Sequence, residues 1–294
     1  MVFYEMTAHY RISATDGTIL SLTKWGALPS TIVLIHGFAD GKYLWSPFST
    51  ALKQHAGVVA MDLRGHGDSG WDAGGAYSVG NLVSDVQDVI DACCAQDLLL
   101  VGHSLGAHIA IQLAAANAQR VRGLVLVDTG PGMSADGISQ VRKNFRSRMG
   151  VFTSRLEYQR ALSGWMPLAD SDMLALSADN ALTESGEVYR LKCDPRLADM
   201  ELPNASDMVW PLLQSLNCPS LLIRGEASAV LSRHTAAEMV RRVAGLRCET
   251  VPVAGHAVMM DNPKAFLSVL QKFVFGVCRS IGAMEASDRS SVVA

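Results

Sequence analysis

The longest uncharged stretch of the chain, residues 98–116, approaches the length needed to cross a bilayer, but Gly102, His103, Ser104, Gly106, His108 and Gln112 interrupt it. It reads instead as two buried elements in succession, an apolar strand Leu98-Leu99-Leu100-Val101 and a helix over 105–118. A strand that is apolar at every position is covered on both faces, which is the situation of a parallel strand between helices. Similar runs recur at 31–35, 57–61 and 124–127, separated by helical segments at 44–55 and 79–95. This alternation predicts an α/β fold with a mostly parallel, twisted sheet and helices on both faces. Ahead of it, residues 9–14 and 19–25 flank Thr15-Asp16-Gly17-Thr18 and predict an antiparallel hairpin.

After Gly130-Pro131-Gly132 the strand pattern stops and resumes only at 220–223. The intervening residues read as helices broken by Gly150, Gly164, Pro167, Gly186, Pro195, Pro203 and Pro211. With 294 residues the chain sits near the upper limit for one core, so an insertion accounts for the length. We expect a core from 1–130 and 216–280, a helical cap over 131–215, and a frayed polar tail over 281–294. Within the second part of the core, a helix around 235–243, a strand around 248–253 and a last helix near 264–275 complete the pattern.

Charge narrows the function. With 25 Lys and Arg against 28 Asp and Glu, the formal charge is -3, too little basic field to gather a nucleic acid. The first six residues lack the basic start and apolar block of a signal peptide or anchor, so no membrane association and a cytoplasmic location are expected. The six cysteines show no C-x-x-C spacing, and His and carboxylates form no ligand cluster in sequence; neither a disulfide framework nor a metal site is implied.

The chemistry concentrates at Gly102-His103-Ser104-Leu105-Gly106, which lies directly between the apolar strand and the helix. That is the strand–turn–helix setting of a nucleophile elbow, with glycines making room and Ser104 held so that its hydroxyl is exposed. A serine hydroxyl needs a base to take its proton. His256, in Val253-Ala254-Gly255-His256, follows the last strand at the carboxyl edge of the sheet and is the best candidate. Acyl transfer also needs oxyanion donors, and the N–H groups of Leu105 and Phe38 suit this purpose, Phe38 following His36-Gly37 after a strand. The segment 62–69, although it holds Asp, Arg, His and Ser, reads as a structural turn in which Arg64 pairs with Asp62.

From about residue 20 to 275 the pattern resembles the α/β-hydrolase superfamily, through His36-Gly37, Asp62-Leu63-Arg64-Gly65-His66-Gly67-Asp68-Ser69, the elbow and Gly255-His256. The resemblance implies a catalytic acid, usually in the loop after the strand that follows the cap. That position here is Ser228, which has no carboxylate. Some members take the acid from the end of the strand before the cap, where Asp128 stands; Glu226 is the alternative acid. Within the superfamily the chain is similar to the amide hydrolases of (E)-2-(acetamidomethylene)succinate, at residues 101–107, at the Asp ending the strand before the cap, and at Arg224-Gly225-Glu226-Ala227-Ser228.

These features imply a serine hydrolase for a small ester, amide or lactone, using no cofactor, with Ser104, His256 and Asp128 as its triad. Two rivals share the fold: a carbon–carbon bond hydrolase or cofactor-free dioxygenase using the His–Asp pair, and a ligand receptor without turnover. In the cap, Phe145, Met149, Trp165 and Trp210 are candidates for an apolar substrate pocket. Arg142 and Arg146, within a basic run that also holds Lys143, Arg148, Arg155 and Arg160, are candidates to meet a substrate carboxylate.

Overall fold

A computed structural model describes residues 7–26, 30–75, 77–201 and 206–291. The first six residues and the last three, to which the expectations of no leader and of a frayed tail extend, lie outside it. An eight-stranded sheet runs in the order β1-β2-β4-β3-β5-β6-β10-β11. β1 (Thr7–Ser13) and β2 (Ile19–Trp25) form the antiparallel hairpin, and β2 pairs antiparallel with β4 (Gly57–Met61). The remaining neighbours, β3 (Ser30–Ile35), β5 (Asp97–His103), β6 (Val121–Val127), β10 (Ser220–Gly225) and β11 (Leu246–Val251), pair in parallel.

The apolar runs occupy the centre of this sheet, where nearly every residue of β3, β4, β5, β6 and β10 is buried. Burying each such Val, Leu or Ile contributes roughly 1.5–3 kcal/mol of transfer free energy, which fixes these strands between helical layers. α1 (Ser46–Leu52) packs with α10 (Pro263–Ser291), while α2 (Val79–Cys93) packs with α3 (Leu105–Ala116). α3 is buried on almost every side because α2, the sheet and α7 (Ser206–Gln214) all cover it. α8 (Arg233–Arg242) lies against β11.

Chain order jumps between β3 and β5: β3 leads outward to β4, and the chain then returns to the other side of β3. Such a reversal leaves a crevice at the carboxyl ends of the two strands. Ser104 stands there.

Three local expectations are corrected. The insertion between β6 and β10 is not purely helical: besides α4 (Ala135–Arg148), α5 (Arg155–Trp165), α6 (Ser171–Asn180) and α7, it holds a three-stranded sheet of β7 (Val151–Phe152), β9 (Val188–Leu191) and β8 (Leu182–Ser185). Its hairpin turns at Gly186, whose φ of 63° suits glycine, between short strands that helical periodicity does not register. The tail expected to fray from 281 instead continues α10 to Ser291. Arg64 does not pair with Asp62; it takes Asp85 in two hydrogen bonds of 2.6 and 2.8 Å, while Asp62 serves the Lys42 ammonium and the Lys42 and Asp68 N–H groups.

The insertion is tied to the core by main-chain bonds at several points. Gly67 N–H donates to Lys192 O at 2.7 Å, Asp194 N–H to Gly65 O at 2.8 Å and Asp170 N–H to Met260 O at 2.8 Å.

Candidate active site

Ser104 occupies the sharp turn between β5 and α3 with φ 52° and ψ −116°, a conformation that side-chain-bearing residues rarely adopt. The crowding that maintains it is measurable at its flanking glycines. A Cβ on Gly102 would sit 2.3 Å from Gly106 O, and one on Gly106 would sit 2.3 Å from Ile35 O. Any larger residue would push α3 away from β5 or β3. Leu105 is the first residue of α3, so its N–H has no acceptor within the helix. The Gly37-Phe38 loop passes close by, since a Cβ on Gly37 would lie 3.3 Å from Ser104 Cβ. His36 fastens that loop, with Nδ1 bonded to Gly37 O at 2.7 Å and Nε2 accepting from Leu63 N–H at 2.9 Å.

His256 lies in the turn between β11 and α9 (Val258–Asp261). This turn presses on the end of β10, where a Cβ on Gly225 would come within 2.0 Å of Gly255 O. His256 Nε2 is 3.0 Å from Ser104 Oγ, and Nδ1 is 2.9 Å from Asp128 Oδ2. Asp128 follows β6 with φ 50° and is wholly buried. Its Oδ1 accepts from Gly225 N–H at 3.0 Å, and its Oδ2 also accepts from the Ser228 hydroxyl.

The proton positions follow from these partners. Ser228 Oγ accepts from the N–H groups of Val230 and Leu231 at 3.2 and 3.1 Å, so its own hydrogen is directed to Asp128. Asp128, as a carboxylate, accepts Nδ1–H of His256 and leaves the Nε2 lone pair facing the Ser104 hydroxyl. Such an arrangement can remove the hydroxyl proton as the oxygen attacks a carbonyl. Glu226 is elsewhere: it is exposed, and its carboxylate takes Val253 N–H at 3.3 Å.

A cavity of about 260 Å³ opens above Ser104 and His256. Phe145, Trp165, Leu162 and Phe38 give it apolar walls. Of the pocket candidates drawn from the sequence, Phe145 and Trp165 line it, and four others do not. Met149 faces a separate cavity beside Cys193, and Trp210 is stacked beneath the Arg242 guanidinium at 3.9 Å. Arg142 donates to the carbonyls of Ala198 and Met200 at 3.2 and 2.8 Å, and Arg146 is exposed.

The reason is helical phase. Val141, Phe145 and Arg148 share the face of α4 that turns toward the cavity, whereas Arg142, Arg146 and Met149 follow the same spacing one residue later, on another face. Phe145 alone leaves Arg142 and Arg148 equally placed at three residues to either side, and the phase fixed jointly on Val141 and Phe145 selects Arg148 from the basic run.

One further charged group in the cavity, Asp40, is not singled out by the sequence. Asp40, in the loop after β3, has Oδ1 3.7 Å from Arg148 Nη1 and Oδ2 3.8 Å from His103 Nδ1. Burial raises the Asp40 carboxyl above the usual carboxylate range, against the opposing pull of Arg148, His103 and His256. His103, buried behind the elbow, bonds through Nε2 to His256 O at 3.0 Å, and burial lowers its pKa to about 4. It remains a neutral packing and positioning group. Among the described residues no group of three His, Cys, Asp or Glu side chains is arranged to hold a metal ion.

Residues 32–269 match the alpha/beta hydrolase family. Among similar proteins is the 2-(acetamidomethylene)succinate hydrolase of Mesorhizobium japonicum, 25% identical over 244 residues, covering 83% of this chain and 87% of that protein. Another is the 3-hydroxybutyrate-oligomer hydrolase of Cupriavidus necator, 28% identical over 275 residues, covering 86% of this chain and 92% of that one. Among solved structures, an E-2-(acetamidomethylene)succinate hydrolase aligns with a TM-score of 0.81 at 22% identity, covering 92% of this chain and 99% of the other.

Proposed function

The chain belongs to the alpha/beta hydrolase family, and from that premise we propose that it is a serine hydrolase cleaving a carboxylic ester, amide or lactone of a small molecule through an acyl-enzyme on Ser104. The observation that carries this reading is the unbroken line of hydrogen bonds from Ser104 Oγ through His256 to Asp128. Ser104 attacks the substrate carbonyl while His256 Nε2 takes its proton. The N–H groups of Leu105 and Phe38 hold the tetrahedral oxyanion, each such donor lowering the barrier by about 3 kcal/mol. His256 then protonates the leaving alcohol or amine, and the carbon–oxygen or carbon–nitrogen bond breaks. Water repeats the sequence in reverse and frees the acid. Asp128 stays ionised throughout, orienting the ring and offsetting its positive charge.

The relatives support the breadth of this reading, since one is named for an amide substrate and another for an ester oligomer. The test is labelling by a fluorophosphonate, followed by mass spectrometry: the adduct should map to Ser104 and be absent from Ser104→Ala. An intact, folded protein that takes no label, or takes it elsewhere, overturns the assignment.

A further inference from the structure

Within the cavity, the polar groups of the triad are satisfied by one another, but those of Asp40 and Arg148 are not. Arg148 is 8% exposed, and among the described residues its one hydrogen bond is from Nε to the Tyr158 hydroxyl at 3.0 Å. Among the described residues its Nη groups have no acceptor within hydrogen-bond length, the nearest carboxylate oxygen being that of Asp40 at 3.7 Å. Asp40 in turn receives no side-chain hydrogen bond among the described residues; the His103 ring nitrogen beside it is 3.8 Å away and buried without a partner. A donor and an acceptor thus stand side by side in an apolar cavity that also holds Ser104 and His256.

Both groups face an apolar cavity with hydrogen-bonding capacity that no side chain among the described residues takes up, and a ligand that displaces water there must replace those bonds, so the pair is a recognition element for whatever completes it. A substrate carboxylate would satisfy Arg148 but would bring a second negative charge against Asp40. A plain ester would offer Asp40 no hydrogen. An amide-type group satisfies both, its C=O accepting from Arg148 and its N–H donating to Asp40, without adding net charge.

Resting on the serine-hydrolase reading, we propose that Arg148 and Asp40 together select substrates that carry an amide-type group, a carboxamide, ureide or carbamate, within the pocket of Ser104. The pair thereby distinguishes such substrates from anionic and from purely ester analogues of the same shape.

The test uses the wild-type protein and three p-nitrophenyl esters of adipic acid whose far end is a carboxamide, a methyl ester or a free carboxylate. The carboxamide should exceed both others in kcat/KM by about 10-fold or more, as expected when a site built for a hydrogen-bonding group meets an analogue lacking it. In Asp40→Asn the negative charge is gone, and the carboxylate should overtake the carboxamide. Arg148→Gln should bring the carboxamide and methyl ester within about 2-fold of each other, the residual preference expected of packing alone. Equal rates for carboxamide and methyl ester in the wild type, a wild-type preference for the carboxylate, or an unchanged order in Asp40→Asn would each overturn the proposal. If no ester is cleaved and the fluorophosphonate does not react, the hydrolase reading fails. The pocket is then judged by calorimetry with hexanamide and hexanoate: tighter binding of the amide supports the proposal, and tighter binding of hexanoate overturns it.

Discussion

Two polar groups share the cavity and differ in how completely they are partnered. The Ser104–His256–Asp128 line is closed, each hydrogen directed to a specific acceptor and the carboxylate held by Gly225 and Ser228. The Asp40–Arg148 pair is open, its nearest approach longer than a hydrogen bond. A closed network holds its geometry before anything binds, which suits chemistry that must not wait for reorganisation. An open pair obtains its missing bonds from the ligand, which suits selection.

Breaking the closed group should have the largest effect. Ser104→Ala should lower turnover by on the order of 10⁴-fold or more, because triad members act as a unit; steady-state rates and active-site titration measure this, and retention of most activity would refute the role. Next, Asp128→Asn should cost about 10³–10⁴-fold through the wrong His256 tautomer. Glu226→Gln should leave the rate within about 2-fold, as exposed substitutions generally do. A reversed ranking would move the acid to Glu226.

Ser228→Ala removes one hydrogen bond to Asp128 and should reduce kcat by about 5- to 10-fold, in keeping with the value of about 1 kcal/mol for such a bond. Ser228→Thr, which retains the hydroxyl, should restore most of it. Failure of the threonine variant to do better than alanine would make Ser228 a packing residue.

The mildest test concerns the scaffold around both groups. Burial lowers the pKa of His36, His103 and His108 to about 4 and that of His66 to about 3, against an ordinary 6.5. The unfolded chain takes up protons on these rings near pH 6.5 while the folded chain does not, so their contribution to stability is full above that pH and drains away as pH falls toward 4. Each unit of difference corresponds to about 1.4 kcal/mol. Thermal unfolding should therefore show a level Tm from pH 8 to 7 and a steep fall below pH 6.5. A Tm unchanged down to pH 5 would mean that these rings are charged in the folded protein.

The closed group is largely legible in the amino-acid sequence. Ser104 announces itself by glycines flanking a serine between an apolar strand and a helix, and His256 by a glycine and a histidine after the last strand. The sheet is equally open to reading because its central strands are buried on both faces. Asp128 needs the family resemblance, since an aspartate ending a strand has many uses. Arg148 is hidden by a one-residue difference in helical phase, and the β8–β9 hairpin by the shortness of its strands. Asp40 has no local signature. Its place is set by three distant segments meeting: the loop after β3, α4 and the end of β5.

The contact between Ser228 and Asp128 has one more consequence. A side chain on the β10 loop touches the same oxygen that orients His256, so two neighbouring strands offer interchangeable addresses for a carboxylate. The imidazole need not move when its acid changes lodging, provided the vacated site supplies a hydroxyl. In this chain the exchange Asp128→Ser with Ser228→Asp would pass the negative charge from one strand to the next while keeping a hydroxyl beside it.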